Sequence, residues 1–443
     1  VSLADSANLV DALSAVAAKR SGQGVHIRRR GRETGALSYA DLYKDAGRLA
    51  AGLRARGVRP GDRVALVLPT SLDFARAFFG VLAAGAVAVP LPEPLPLGAS
   101  HAYTDRTAGA LTRSTVRTVL AAPSTVAVLT RMLSGVAPGT DVLTVSDVLA
   151  DEPLYEPRTG TEAALIQYTS GTGSDPRGVV LSHANLAAGV AAIAEGTALT
   201  ADDVGCTWLP LFHDMGLIGS FLTPVLHDAD IHLQRPEDFL WDPLGWVRTV
   251  GEVGATFTMA PDSGYRYVLR RGRRASDEGL DLSRWRIAVN GAEPVDRALQ
   301  DEFVARFASA GLRAGVFMPA YGLAEATLAV TLSPQGRLTR TLRARRDALG
   351  RGVLELAAET EPHRELVSVG TPVARTEIRL TDTEGRVLPA GGVGRIEVRG
   401  ASVTTTGYDS HPAETLRTLL PGGWITTGDL GVCHEESCTW WAG

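Results

Sequence analysis

Short apolar runs alternate with helix-length segments through the first three quarters of this chain, and that alternation confines the fold to parallel sheets covered by helices. Residues 64–68, Val-Ala-Leu-Val-Leu, predict a strand after the turn Arg59-Pro60-Gly61-Asp62. A helix is predicted over 73–84 and the next strand over 86–90, with further strands over 125–129 and 286–289. From about Leu366 the rhythm changes. Runs such as 377–380 and 395–399 alternate apolar and polar residues between Gly/Pro turns, among them Pro389-Ala390-Gly391-Gly392, as in an antiparallel barrel. The expected fold class is therefore α/β: two βαβ-type subdomains with helix-covered sheets, plus a small C-terminal antiparallel β-barrel subdomain. Residues 1–331 would form the α/β body, 332–365 a charged, arginine-rich, insertion-like excursion, and 366–443 the barrel.

A chain of 443 residues is too long for one small core. Its net charge of −5 gives no electrostatic footprint for nucleic acid or an anionic membrane. The most apolar stretch, 77–91, is broken by Gly80, Gly85 and Pro90 and is too short for a bilayer span; it reads as a helix turning into a buried strand. No basic leader precedes an apolar run at the N-terminus, and three cysteines are too few for a disulfide scaffold, so a reducing cytoplasm is expected. Cys433, His434 and Cys438 match no zinc spacing.

Between two predicted strands, 163–167 and 179–182, lies Tyr168-Thr169-Ser170-Gly171-Thr172-Gly173-Ser174-Asp175-Pro176-Arg177-Gly178. Glycines let backbone N–H groups approach an anion, hydroxyls donate to its oxygens, and an arginine neutralises charge through a planar fork. Polyphosphate is the ligand such a turn suits. It is not a Walker loop, because Lys19 and Lys44 are the only lysines, and it lacks the Gly-x-Gly-x-x-Gly dinucleotide spacing. Taken alone, it is also compatible with a ligand-free surface loop.

Four other segments place polar residues where predicted sheets end, and ligands in open α/β sheets bind at the carboxyl ends of strands. They are Leu211-Phe212-His213-Asp214-Met215-Gly216-Leu217-Ile218, Asn290-Gly291-Ala292-Glu293, Tyr321-Gly322-Leu323-Ala324-Glu325-Ala326-Thr327 and Thr426-Thr427-Gly428-Asp429-Leu430-Gly431. Singly, each has an ordinary reading. Asp429 suits a turn, Glu325 a helix cap, Tyr321 a core, His213 a buried hydrogen-bonded histidine, and Glu293 a brace for its own turn.

Together and in this order, these motifs resemble those of the adenylate-forming enzymes, and within them the fatty acyl-AMP ligases, over nearly the whole chain. An acyl-CoA ligase more usually has threonine where Ala324 stands, and the excursion after the Tyr-Gly-x-x-Glu motif has a counterpart in the acyl-AMP branch. The resemblance implies ATP-dependent activation of a fatty acid to acyl-AMP with release of pyrophosphate, followed by transfer to an acyl carrier protein or polyketide synthase. It implies ATP and Mg²⁺ as cofactors. Thr169, Ser170, Gly171, Thr172 and Gly173 would cradle the β- and γ-phosphates, with Arg177 supplying charge. Tyr321 and Gly322 would lie at adenine, with the Asn290, Gly291 and Ala292 backbone at its edge. Asp429 would accept from both ribose hydroxyls, Glu325 would ligate Mg²⁺, and His213 would lie beside the acyl carboxylate and α-phosphate. Phe212, Met215, Leu217, Ile218, Phe221 and Met259 are candidates for the acyl tunnel, although for each taken singly core packing is the commoner role.

The chain departs from the family pattern in two ways. Ser174 stands for a glycine and Arg177 for a lysine, so phosphate geometry is expected to differ. The family also continues for a further domain carrying a lysine at the reacting centre. This chain is therefore expected to be the larger N-terminal portion, able to bind its substrates but slow to turn them over. An acyl-CoA ligase and a non-catalytic adenylate-binding module are the competing readings.

Overall fold

The computed structural model describes residues 8–94, 101–155, 159–169, 176–272, 279–434 and 437–441. Two large sheets carry the α/β body. The six-stranded sheet runs in the order Asp141–Leu143, Thr118–Ala121, Arg63–Val67, Val87–Pro90, Ala163–Tyr168, Gly178–Ser182, all parallel except the last. The nine-stranded sheet has a parallel centre, Phe317–Gly322, Ile287–Asn290, Phe257–Ala260, Val204–Thr207, Asp230–Gln234 and Gly24–Arg29, flanked by antiparallel edges. Strands Phe257–Ala260, Ile287–Asn290 and Val87–Pro90 are buried at every position, as expected of parallel strands covered on both faces.

Between the sheets, helix Leu72–Ala83 buries Phe74, Phe78 and Phe79. Its start is specified locally: Ser71 caps it by accepting from the Phe74 N–H at 3.2 Å. Helix His183–Gly196 starts at a capping box formed by Ser182 and Asn185. The Asn185 amide then donates to the carbonyls of Ala401 at 3.0 Å and Val403 at 2.9 Å, fastening the helix to the C-terminal sheet.

That third sheet is antiparallel, in the order Thr376–Thr381, Val393–Gly400, Trp424–His434, Leu419–Leu420, with Ser437–Trp441 also paired to Trp424–His434. The charged stretch before it forms a hairpin of its own, Thr341–Arg345 against His363–Val367. Leu349 and Leu366 pack with Val432, so this stretch is a layer on the third sheet as well as a charged surface.

One sequence expectation fails. The segment 125–129 is not a strand but the start of helix Val126–Val136, and the strand lies upstream at Thr118–Ala121. Leu129 and Leu133 are buried four residues apart while Val128 faces solvent, which is helical periodicity; the β-branched composition concealed it. No helix among the described residues is long and apolar enough to cross a membrane.

Candidate functional site

A cavity of about 510 Å³ opens where the strand ends of both large sheets meet the third sheet. Thr169 and Arg177 form its rim, and the Thr169 N–H donates to the Arg177 carbonyl at 2.9 Å, closing the neck of the loop between them. Ser170, Gly171, Thr172 and Gly173 lie outside the described residues. Arg177 pairs with Glu414 at 3.3 Å, and its guanidinium lies 5.6 Å from the centre of the Tyr408 ring.

Tyr321 and Asp429 meet on one wall. The Tyr321 hydroxyl donates to Asp429 Oδ2 at 2.7 Å. Burial raises the Asp429 carboxyl above its usual value, with the phenol hydrogen bond pulling the other way, and burial likewise pushes the Tyr321 hydroxyl well up. Tyr321 stands inside the strand Phe317–Gly322 rather than after it. Gly322 follows because a Cβ there would lie 1.8 Å from the Leu328 carbonyl oxygen.

Gly291 and Ala292 line the cavity, and Ala292 holds φ at 65°, a conformation that costs a non-glycine residue on the order of 1–3 kcal/mol. The Asn290 side chain does not line it; it is fully buried and accepts from Gln300 at 3.4 Å. Glu293 ties its turn to the start of helix Asp262–Gly272, accepting from the Ser263 N–H and hydroxyl at 2.8 and 2.9 Å, so it braces a neighbouring element and not its own turn.

Glu325 sits on the 3₁₀ turn Ala324–Ala326 and accepts from the Tyr408 hydroxyl at 2.5 Å. Burial raises its carboxyl, the Tyr408 hydrogen bond opposes the rise, and the Asp214 charge adds to it. Next to it, Thr327 has φ 66° and is locked by donation to the Ser402 carbonyl at 2.6 Å.

His213 lines the far side with Nδ1 2.7 Å from Asp214 Oδ1. Desolvation works against its charged form, but the hydrogen bond and charge of Asp214 prevail and raise the imidazole above its usual value. The chain then winds into the π-helical segment Met215–Leu222, a form concentrated at functional sites. The Ser220 and Thr223 hydroxyls donate five residues back, to Met215 and Ile218 carbonyls at 3.1 and 2.8 Å.

Met215, Met259, Val289, Ile193, Leu328 and Leu332 give the cavity an apolar end. Of the candidate tunnel residues, Met215 and Met259 line that end. Ile218 is fully buried in the core, and Phe212 lines a separate groove with Pro210, Leu211 and Arg235. Tyr408, Asp214, Thr427 and Glu414 were not anticipated from the sequence. Asp214 carried a usable signal, a carboxylate adjacent to a histidine; Tyr408 is 83 residues from Glu325 and carried none.

A family model described as AMP-binding enzyme matches residues 14–408. A protein of Caulobacter vibrioides named as an acyl-CoA synthetase is 35% identical over 97% of this chain and 76% of its own length. The medium-chain-fatty-acid–[acyl-carrier-protein] ligase JamA of Moorena producens is 30% identical over 91% of this chain and 71% of its own. A solved structure of the fatty acyl-adenylate ligases from E. coli and L. pneumophila superposes with a TM-score of 0.93 at 32% identity, covering 99% of this chain and 80% of that one.

Proposed function

The chain belongs to the AMP-binding enzyme family, and from that premise we propose that it joins a fatty acid to AMP, releasing pyrophosphate, for delivery to an acyl carrier protein or polyketide synthase. One observation carries the reading. A hydroxyl and guanidinium rim, an aromatic face bonded to a carboxylate, a second carboxylate and a histidine all open onto one cavity that ends in apolar side chains.

In this reading an ionised carboxylate oxygen attacks the α-phosphorus, the new bond forms as the α–β phosphoanhydride P–O bond breaks, and pyrophosphate departs with the electron pair. No proton transfer is required. The protein's task is alignment and neutralisation of charge. Thr169 and Arg177 hold the phosphates, Tyr321 stacks on adenine beside the Gly291 and Ala292 backbone, and Asp429 accepts from the ribose diol. His213, oriented by Asp214, donates to the acyl carboxylate or α-phosphate. The Glu325 carboxylate faces the same cavity as the Thr169 hydroxyl, a hard-oxygen donor set that fits Mg²⁺, which keeps most of its waters and needs few protein ligands. That ion would neutralise phosphate charge.

The test is to incubate the protein with ATP, Mg²⁺ and fatty acids of graded length, following acyl-AMP by mass spectrometry and pyrophosphate release. Acyl-AMP matched by pyrophosphate supports the reading. If no chain length gives acyl-AMP and ATP does not bind saturably, the reading is rejected. The Caulobacter relative's name favours thioester formation as a second reading, and adding CoA to the same assay separates the two.

A further inference from the structure

At the opposite edge of the nine-stranded sheet, His26 and His232 stand directly opposite each other on adjacent parallel strands, so both side chains leave the same face. Their rings stack with centroids 4.5 Å apart. Glu33, on the edge strand Arg32–Ser38, reaches back across them, its Oε2 3.0 Å from His26 Nδ1. One ligand atom from each of the three residues lies within 4.8 Å of the others.

We propose that His26, His232 and Glu33 form a site for a single zinc-class divalent cation, clasping the edge hairpin to the strand Asp230–Gln234.

Three observations support a built site over a chance meeting of side chains. First, His26 is oriented from behind: its Nε2 lies 3.2 Å from Asp230 Oδ1, which also accepts from the Gly24 N–H at 2.8 Å. A carboxylate holding the outer nitrogen of a histidine is the usual support of a metal-bound imidazole. Second, His232 is 91% buried by its 9% exposure, yet its Nδ1 is enclosed without a hydrogen-bond partner. Such an enclosed, unsatisfied atom is unfavourable, and a ligand would satisfy it. Third, the local charge favours a cation. Glu33 and Asp230 supply two carboxylates, and the nearby Arg28 is already paired with Glu252 at 2.7 Å.

The His26–Glu33 separation is already close to the roughly 3.3 Å expected between two ligand atoms on a tetrahedral ion with bonds of about 2.0–2.1 Å. The cation would take the place of the proton that His26 shares with Glu33. Imidazole nitrogens suit zinc better than magnesium, so this site is chemically unlike Glu325.

The protein, stripped with a chelator and dialysed, is titrated with zinc chloride alone by calorimetry and melted with and without zinc. One zinc per chain and a raised Tm are expected, and any response to Mg²⁺ should be the same in the parent protein and in Glu33→Gln. His26→Gln and Glu33→Gln should each abolish the Tm rise, and Asp230→Asn should weaken binding about 10–100-fold while leaving one site. Circular dichroism checks folding, and Glu33→Gln, on an exposed carboxylate, carries the comparison if a histidine variant misfolds. No zinc binding, or binding unchanged by Glu33→Gln and His26→Gln, overturns the proposal.

Discussion

The Tyr321 hydroxyl donates to Asp429 Oδ2 at 2.7 Å, joining residues 108 positions apart across the boundary between the nine-stranded and third sheets. The aromatic face and the acidic group thus hold each other in place before any nucleotide arrives. Tyr321→Phe keeps the face but removes a donor from a half-buried carboxylate, at a cost of about 1–2 kcal/mol. The expected outcome is a lower Tm together with weaker ATP binding by calorimetry. Unchanged values for both would show that the pairing is incidental.

Asp429→Asn replaces an ionised acceptor with a neutral one that also donates. Hydrogen bonds to charged groups contribute about 1.5–3 kcal/mol, so KM for ATP should rise roughly 10–100-fold. KM for the fatty acid should stay nearly constant, and steady-state kinetics in both substrates checks the split.

Glu325 is held by the Tyr408 hydroxyl at 2.5 Å. Tyr408→Phe leaves the ring under Arg177 but frees the carboxylate, so the Mg²⁺ concentration for half-maximal acyl-AMP formation should rise about tenfold, as for loss of an outer-shell partner. A Mg²⁺ titration identical to that of the parent protein would remove Tyr408 from this role.

Burial raises the carboxyls of both Glu325 and Asp429. A group whose folded value lies above its unfolded one contributes stability that is fully present below the unfolded value and is lost as pH rises through the folded one. The ligand-free protein should therefore lose stability as pH climbs from the ordinary carboxylate range, and Glu325→Gln with Asp429→Asn should flatten that loss. Activity should run the other way, falling as pH drops, because both roles need the ionised form. Melting curves and rates over the same pH series test both signs.

A Cβ on Gly219 would lie 2.4 Å from Met259 Sδ and 2.8 Å from Leu328 Cδ2, at the apolar end of the cavity. Gly219→Ala should push these side chains into the space for the acyl chain and move the preference to shorter fatty acids. A methylene is worth about 1–3 kcal/mol in such a pocket, so competition between two lengths should shift about tenfold or more.

Much of the α/β body was legible because its signals are local. Unbroken apolar runs marked the strands 64–68, 86–90 and 286–289. Helix Val126–Val136 was misread because its valines suit a strand, and only the burial of Leu129 and Leu133 against neighbouring elements separates the two. Phe212 and Ile218 were misassigned for a related reason: apolar character says that a side chain avoids water, not which cavity or core it enters.

By itself, the sequence determined the chemistry on offer: a glycine- and hydroxyl-rich turn, one histidine in an apolar run, two acidic motifs, and the alternation that builds sheets with usable ends. Tertiary structure alone decided the pairings, Tyr321 with Asp429, Tyr408 with Glu325, Arg177 with Glu414, and His26 with His232. Covalent order sets which residues exist and which local shapes they take. Distances between remote residues follow instead from how the sheets pack, and the shifts at Glu325 and Asp429 come from the burial that packing creates.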